Sequence, residues 1–113
     1  MKRAVFWISL VLVTVLSLLP GEQLPPQAVQ VWDKAQHALG FFWLGLWGLA
    51  AHPRHVLRVI AGLLLAGVAI EVAQSLTTWR QGDVWDWVAD AVGLGTAALG
   101  WLVWSQRRRA PSD

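Results

Sequence analysis

One stretch limits what this chain can become: Arg80-Gln-Gly-Asp83-Val-Trp-Asp86-Trp-Val-Ala-Asp90-Ala-Val-Gly93. Its three carboxylates open an apolar run that continues to Trp104. From Ala91 to Trp104 there are 14 residues, all apolar or small apart from Thr96. A helix needs roughly 20 to cross a bilayer. Counting from Val84 gives 21. A span of adequate length therefore carries Asp86 and Asp90 into the membrane. Carboxylates there are costly, turn toward protein or a water-filled cavity, and mark functional positions.

The rest of the chain is equally apolar. It is 56% hydrophobic and 14% charged, against about 25% charged for a soluble domain. At 113 residues it holds one domain, 1–113. The expected class is all-α: a polytopic integral membrane protein with a four-helix transmembrane bundle. The expected spans are about 4–20, 33–51, 56–76 and 84–104, followed by a basic cytoplasmic tail, 105–113. The absence of cysteine removes thiol catalysis, disulfides and thiolate metal sites. Basic residues gather at Lys2-Arg3 and Arg107-Arg108-Arg109, where they set topology and meet anionic lipid. The lipid bilayer is the expected partner, and nucleic acid is not.

Ser9, Thr14 and Ser17 interrupt the first span, and their hydroxyls can bond back to their own helix. Lys2-Arg3 before this apolar core also fits a signal peptide, but no small-x-small cleavage site follows, so a retained span is expected. Pro20-Gly21 ends it. Glu22 to Trp32, with Pro25-Pro26 and alternating Leu24, Val29, Val31 and Trp32, is expected to be an interfacial loop anchored by Trp32. Asp33 then serves as N-cap or first-turn residue of span two. Gly40, Gly45 and Gly48 there, and Gly62, Ala66 and Gly67 in span three, offer flat surfaces for close packing. His52-Pro53-Arg54-His55 makes a tight turn and Thr77 to Gly82 a short loop. Ser105 to Asp113 is expected to be unstructured.

Four spans place both termini on one side. Seven Lys or Arg residues lie there (Lys2, Arg3, Arg54, Arg58, Arg107, Arg108, Arg109), against Lys34 and Arg80 on the other. The positive-inside rule puts both termini in the cytoplasm. Asp33, Lys34, His37, Glu71, Gln74, Arg80, Asp83, Asp86 and Asp90 then share the outer level. Asp83, Asp86 and Asp90 lie at i, i+3 and i+7, on one helix face that continues through Gly93, Ala97, Gly100 and Trp104. A polar-then-small stripe of this kind faces protein, while Trp85 and Trp87 fall off it as interfacial aromatics. Gly67, Glu71 and Gln74 share a face of span three; Asp33, His37, Phe41, Leu44 and Gly48 share one of span two. Three polar faces can thus line one pocket open to the outside, with Trp79 and Trp85 at its border.

The pieces Asp33-Lys34-x-x-His37-x-x-x-Phe41-Phe42-x-Leu44-Gly45, Glu71-x-x-Gln74, and Arg80 with Asp86-x-x-x-Asp90-x-x-Gly93 resemble, in order and spacing, the VanZ-like family. The resemblance covers about residues 30 to 100. That family consists of small bacterial membrane proteins, and its name-giving member is associated with low-level resistance to the glycopeptide teicoplanin. The resemblance implies a shared fold, an outer pocket and a place in the bacterial cytoplasmic (inner) membrane; it supplies no reaction. The family usually has Asn where this chain has Asp90, so here a carboxylate is added.

Several uses of the constellation stay open. The nine outer residues named above can bind an envelope component, such as a lipid-linked or cell-wall ligand, with Arg80 and Lys34 on its phosphate. His37, Glu71 and Asp86 are candidate acid–base residues if the ligand is a substrate. Alternatively the charges only neutralise one another, with His37 hydrogen-bonded to Glu71 or Gln74, and the role is structural. His37, Glu71, Asp86 and Asp90 suit a divalent metal chemically, but no local ligand motif accompanies them, so no cofactor is expected.

Overall fold

The computed structural model describes residues 1–19, 26–79 and 82–111. These form four α-helices and, among the described residues, no strand: α1 (Lys2–Leu18), α2 (Pro26–Ala51), α3 (Val56–Ser75) and α4 (Val84–Arg109). By length and apolar composition α3 and α4 suffice to cross a membrane.

Two boundaries correct the sequence-based expectations. First, α2 opens at Pro26, not near Asp33. Residues 26–32, expected as an interfacial loop, are therefore helical, and Asp33 lies inside the helix rather than at its cap. Pro26 itself supplies the reason. At the first helical position a proline gives up only an N–H that has no intrahelical partner, and its fixed φ suits the helix. The earlier part of that expected loop, 20–25, lies outside the described residues. Second, α4 continues through Arg109. The stretch 105–109, expected to be unstructured, is its last turn and a half. Arg107, Arg108 and Arg109 place positive charge at the negative end of the helix dipole, and the Arg108 guanidinium lies 4.7 Å over the Trp104 ring one turn earlier.

The helices are not packed in simple chain order. The most extensive contact is between α2 and α4; α3 leans on both, and α1 lies against α2 and α3. Gly93 makes the α2–α4 crossing this close. A Cβ there would collide with the backbone carbonyl of Ala38, whose carbon would be 2.8 Å away. The small stripe of α4 meets protein only in its first half. Gly93 and Ala97 are buried, whereas Gly100 and Trp104 are exposed. Gly62 on α3 likewise borders open space rather than another helix. Phe6, Phe41, Leu44, Leu49, Val59, Leu63, Ile70 and Leu94 fill the core.

The outer surface is apolar. Trp7, Ile8, Val11, Leu12, Val15 and Leu16 of α1 are all exposed. Near the α2–α3 turn, α1 and α3 stand apart around a cavity of about 450 Å³, with His52, His55 and Arg58 among its walls. The ionisable groups discussed below lie at the opposite end of the helices.

Candidate functional site

The site begins with the start of α4. The Asp83 carboxylate accepts a hydrogen bond from Trp85 N at 2.9 Å and so caps the helix. Its backbone N–H donates to Glu71 Oε2 at 2.8 Å, which fixes the end of α3 against the start of α4. Lys34, from α2, closes the same corner. Its Nζ lies 3.0 Å from Asp83 Oδ2 and 3.3 Å from Asp86 Oδ1. Lys34 and Asp83 are about one-third exposed, so this is the rim of the site. The Asp83 carboxyl is held below its ordinary range, first by the Trp85 N–H and then by the Lys34 ammonium.

Below the rim the cluster is closed from solvent. His37, Asp86 and Asp90 are buried, with His37 5% and Asp90 0% exposed. At this depth the helices meet side chain to side chain. His37 Nδ1 lies 2.7 Å from Asp90 Oδ1. A carboxylate accepts there, so Nδ1 carries the proton and donates, and in the neutral ring Nε2 then holds the lone pair. Nε2 points toward Asp86 Oδ2, 4.0 Å away, and has no hydrogen-bond partner among the described residues. Asp33, one turn before His37 on α2, brings a carboxylate oxygen within 4.8 Å of ligand atoms of both His37 and Asp86. Two carboxyl groups this close require a proton between them or a cation beside them. Glu71 Oε1 lies 3.9 Å from His37 Nδ1, and it and Asp90 Oδ2 are buried without a hydrogen-bond partner among the described residues.

Gly67 explains how Asp90 fits. A Cβ at this position of α3 would lie 2.9 Å from Asp90 Oδ2 and 3.1 Å from the Trp87 ring. The small residue on α3 is a recess for an acid on α4. Trp87 is consequently not the free interfacial aromatic expected from sequence: its indole N–H donates to Leu64 O at 3.0 Å and ties α4 to α3. Trp85 is exposed as expected.

Of the nine candidate residues, Asp33, Lys34, His37, Glu71, Asp83, Asp86 and Asp90 come together. Asp83 does so as a helix cap and rim charge. Arg80 lies outside the described residues. Gln74 is buried, but its amide nitrogen donates to Ser17 O of α1 at 2.7 Å, and His37 bonds Asp90 rather than Gln74 or Glu71. A neighbouring donor goes the same way, Trp79 Nε1 to Leu18 O at 2.8 Å. The contribution of α1 was missed from sequence. The one available signal was general: the last carbonyls of any helix lack intrahelical partners.

Among the described residues two overlapping groups of side chains could hold a metal ion, Asp33–His37–Asp86 and His37–Glu71–Asp90, with ligand atoms of each group within 4.8 Å of one another. Compared with protein-family models, with curated proteins and with solved structures, the chain matches none.

Proposed function

We propose that this chain is a four-span integral membrane protein of the VanZ-like type in the bacterial cytoplasmic membrane, with both termini in the cytoplasm, and that its outer cluster recognises an envelope component. One observation carries the reading. Five carboxylates, one histidine and one lysine from three helices are gathered at one end of a helical body whose outer surface is apolar. An apolar exterior is what lipid requires. Ionisable groups kept inside it, at one level, are retained for use rather than for solubility. The exposed rim of Lys34 and Asp83 is the natural place for a headgroup-level ligand to arrive, and Lys34 supplies the charge for a phosphate.

In the setting implied by the resemblance, the outcome is altered susceptibility to a glycopeptide such as teicoplanin. Glu71→Gln and Asp86→Asn keep shape while removing charge. Both variants are expected to accumulate in the membrane at wild-type levels and to abolish the change in susceptibility. Normal susceptibility effects from both variants would sink the recognition reading. Failure of both to accumulate would support a purely structural cluster, the reading that Lys34 favours by bridging Asp83 and Asp86. The His37–Asp90 pair favours a second functional reading, an enzyme acting on a lipid-linked substrate. A carboxylate that orients an imidazole leaves the opposite nitrogen ready to accept a proton.

A further inference from the structure

We infer that Asp33, His37 and Asp86 bind a divalent transition-metal ion such as zinc or manganese. The inference deepens the proposed outer site without depending on which envelope component is recognised. It departs from the sequence-based expectation of no cofactor.

The imidazole carries the argument. Its side chain is 4% exposed, so Nε2 cannot turn to water, and it has no hydrogen-bond partner among the described residues. A buried, partnerless ring nitrogen is costly. The other nitrogen, Nδ1, is committed to Asp90 at 2.7 Å. This is the arrangement in which histidines ligate metals: one N–H given to a carboxylate, which fixes the ring and raises the basicity of the free nitrogen. That free nitrogen faces Asp86 Oδ2 at 4.0 Å. Two ligands each about 2.1 Å from one ion are at most about 4.2 Å apart. The observed gap is therefore within reach of a single ion, with a small closure for bent geometry.

The carboxylates support the same placement. One carboxylate oxygen each from Asp33 and Asp86 and a ring nitrogen of His37 lie within 4.8 Å of one another. Lys34 occupies the other oxygen of Asp86, Oδ1, and leaves Oδ2 to the histidine side. The donor set decides the class. Calcium and magnesium prefer oxygen alone, whereas a nitrogen ligand with two carboxylates suits zinc, manganese or iron. The second group, His37–Glu71–Asp90, then becomes the outer layer: Asp90 orients His37, and Glu71 stands 3.9 Å from the same nitrogen.

The test uses the full chain, purified in detergent through a tag without histidine, stripped with chelator and re-equilibrated with Zn²⁺ or Mn²⁺. Elemental analysis is expected to return one equivalent per chain. His37→Gln and Asp86→Asn are each expected to weaken binding by about 100-fold or more, and Asp90→Asn by about 10- to 100-fold. The double change His52→Gln with His55→Gln, at the far end of the helices, is expected to leave binding unchanged. Electron spin-echo spectroscopy of the Mn²⁺ form in that double variant needs no change at the site. Coupling to an imidazole nitrogen is expected, and His37 is then the one histidine left to supply it. No bound metal overturns the proposal, as does bound metal without nitrogen coupling or undiminished binding by a folded His37→Gln variant. A protein that binds no metal yet loses its susceptibility effect in Glu71→Gln would leave recognition standing and the metal refuted. Metal binding with an unchanged phenotype would do the reverse.

Discussion

At the scale of single residues, the site separates into groups that hold the structure and groups held by it. Asp83 belongs to the first kind. It caps α4, receives Lys34, and passes its backbone N–H to Glu71. Its carboxyl is held below the ordinary 3.8, first by the Trp85 N–H and then by Lys34. A depressed carboxylate adds stability above its unfolded value and loses that stability as pH falls through its folded value. Asn caps a helix as well as Asp does, so Asp83→Asn isolates the charge. Wild type is expected to melt above this variant at about pH 6, and the gap to close as pH falls through the folded value of the carboxyl. Melting curves in detergent across that range are the check, and a gap independent of pH would contradict the assignment. His37 and Asp90 belong to the second kind, buried polar groups that persist only because their neighbours fix them. That Asp83, Asp86 and Asp90 share one face was legible from spacing alone, since i, i+3 and i+7 define a face whatever surrounds it. That His37 would choose Asp90 over Glu71 was not legible. The choice follows from the depth at which α2 crosses α4, and no local pattern encodes that depth.

Elements show the same division. The four apolar blocks announced four helices, and the turn at His52 to His55 appeared where expected. Boundaries were misjudged where a residue has two opposite uses. Pro26 reads as a loop residue beside Pro25, yet proline also begins helices. Arg107 to Arg109 read as a solvated tail, yet cations also end helices. The seam between α2 and α4 rests on Gly93, which lies against the Ala38 backbone. Gly93→Ala is expected to cost about 1–3 kcal/mol, because backbone cannot yield as a side chain does. Gly95→Ala, two residues along and facing open space, is expected to gain up to about 1 kcal/mol from helix propensity. Thermal or denaturant unfolding of the two variants in parallel makes the comparison; equal effects would mean that the seam is looser than the structure has it. α1 is bound into the body by its own C-terminal carbonyls, which accept from Gln74 and Trp79.

Over the whole molecule, charge is sorted by end. Arg54 and Arg58 lie near the α2–α3 turn, Lys2, Arg3 and the Arg107 to Arg109 cluster near the ends of the described chain, and Asp33, Glu71, Asp83, Asp86 and Asp90 gather at the opposite end. Because the chain has no cysteine, an introduced one reports alone. A membrane-impermeant maleimide applied to intact cells is expected to label Thr78→Cys, and to reach His55→Cys only after the membrane is opened. The reverse pattern would overturn an outward-facing site. The α2–α4 pairing bears also on how such a chain is made. Lys34 and Asp83 are 49 residues apart and His37 and Asp90 are 53 apart, with all of α3 between them. In the proposed four-span arrangement, synthesis delivers α2 to the bilayer while its acidic partners are still on the ribosome. The histidine and lysine wait through the making of a whole further helix. When α4 arrives, its two buried acids meet groups already in place to receive them, which lowers the cost of drawing a carboxylate-bearing segment into lipid. The order of synthesis thus becomes a loading order, in which the site is completed by the last helix and does not exist before it.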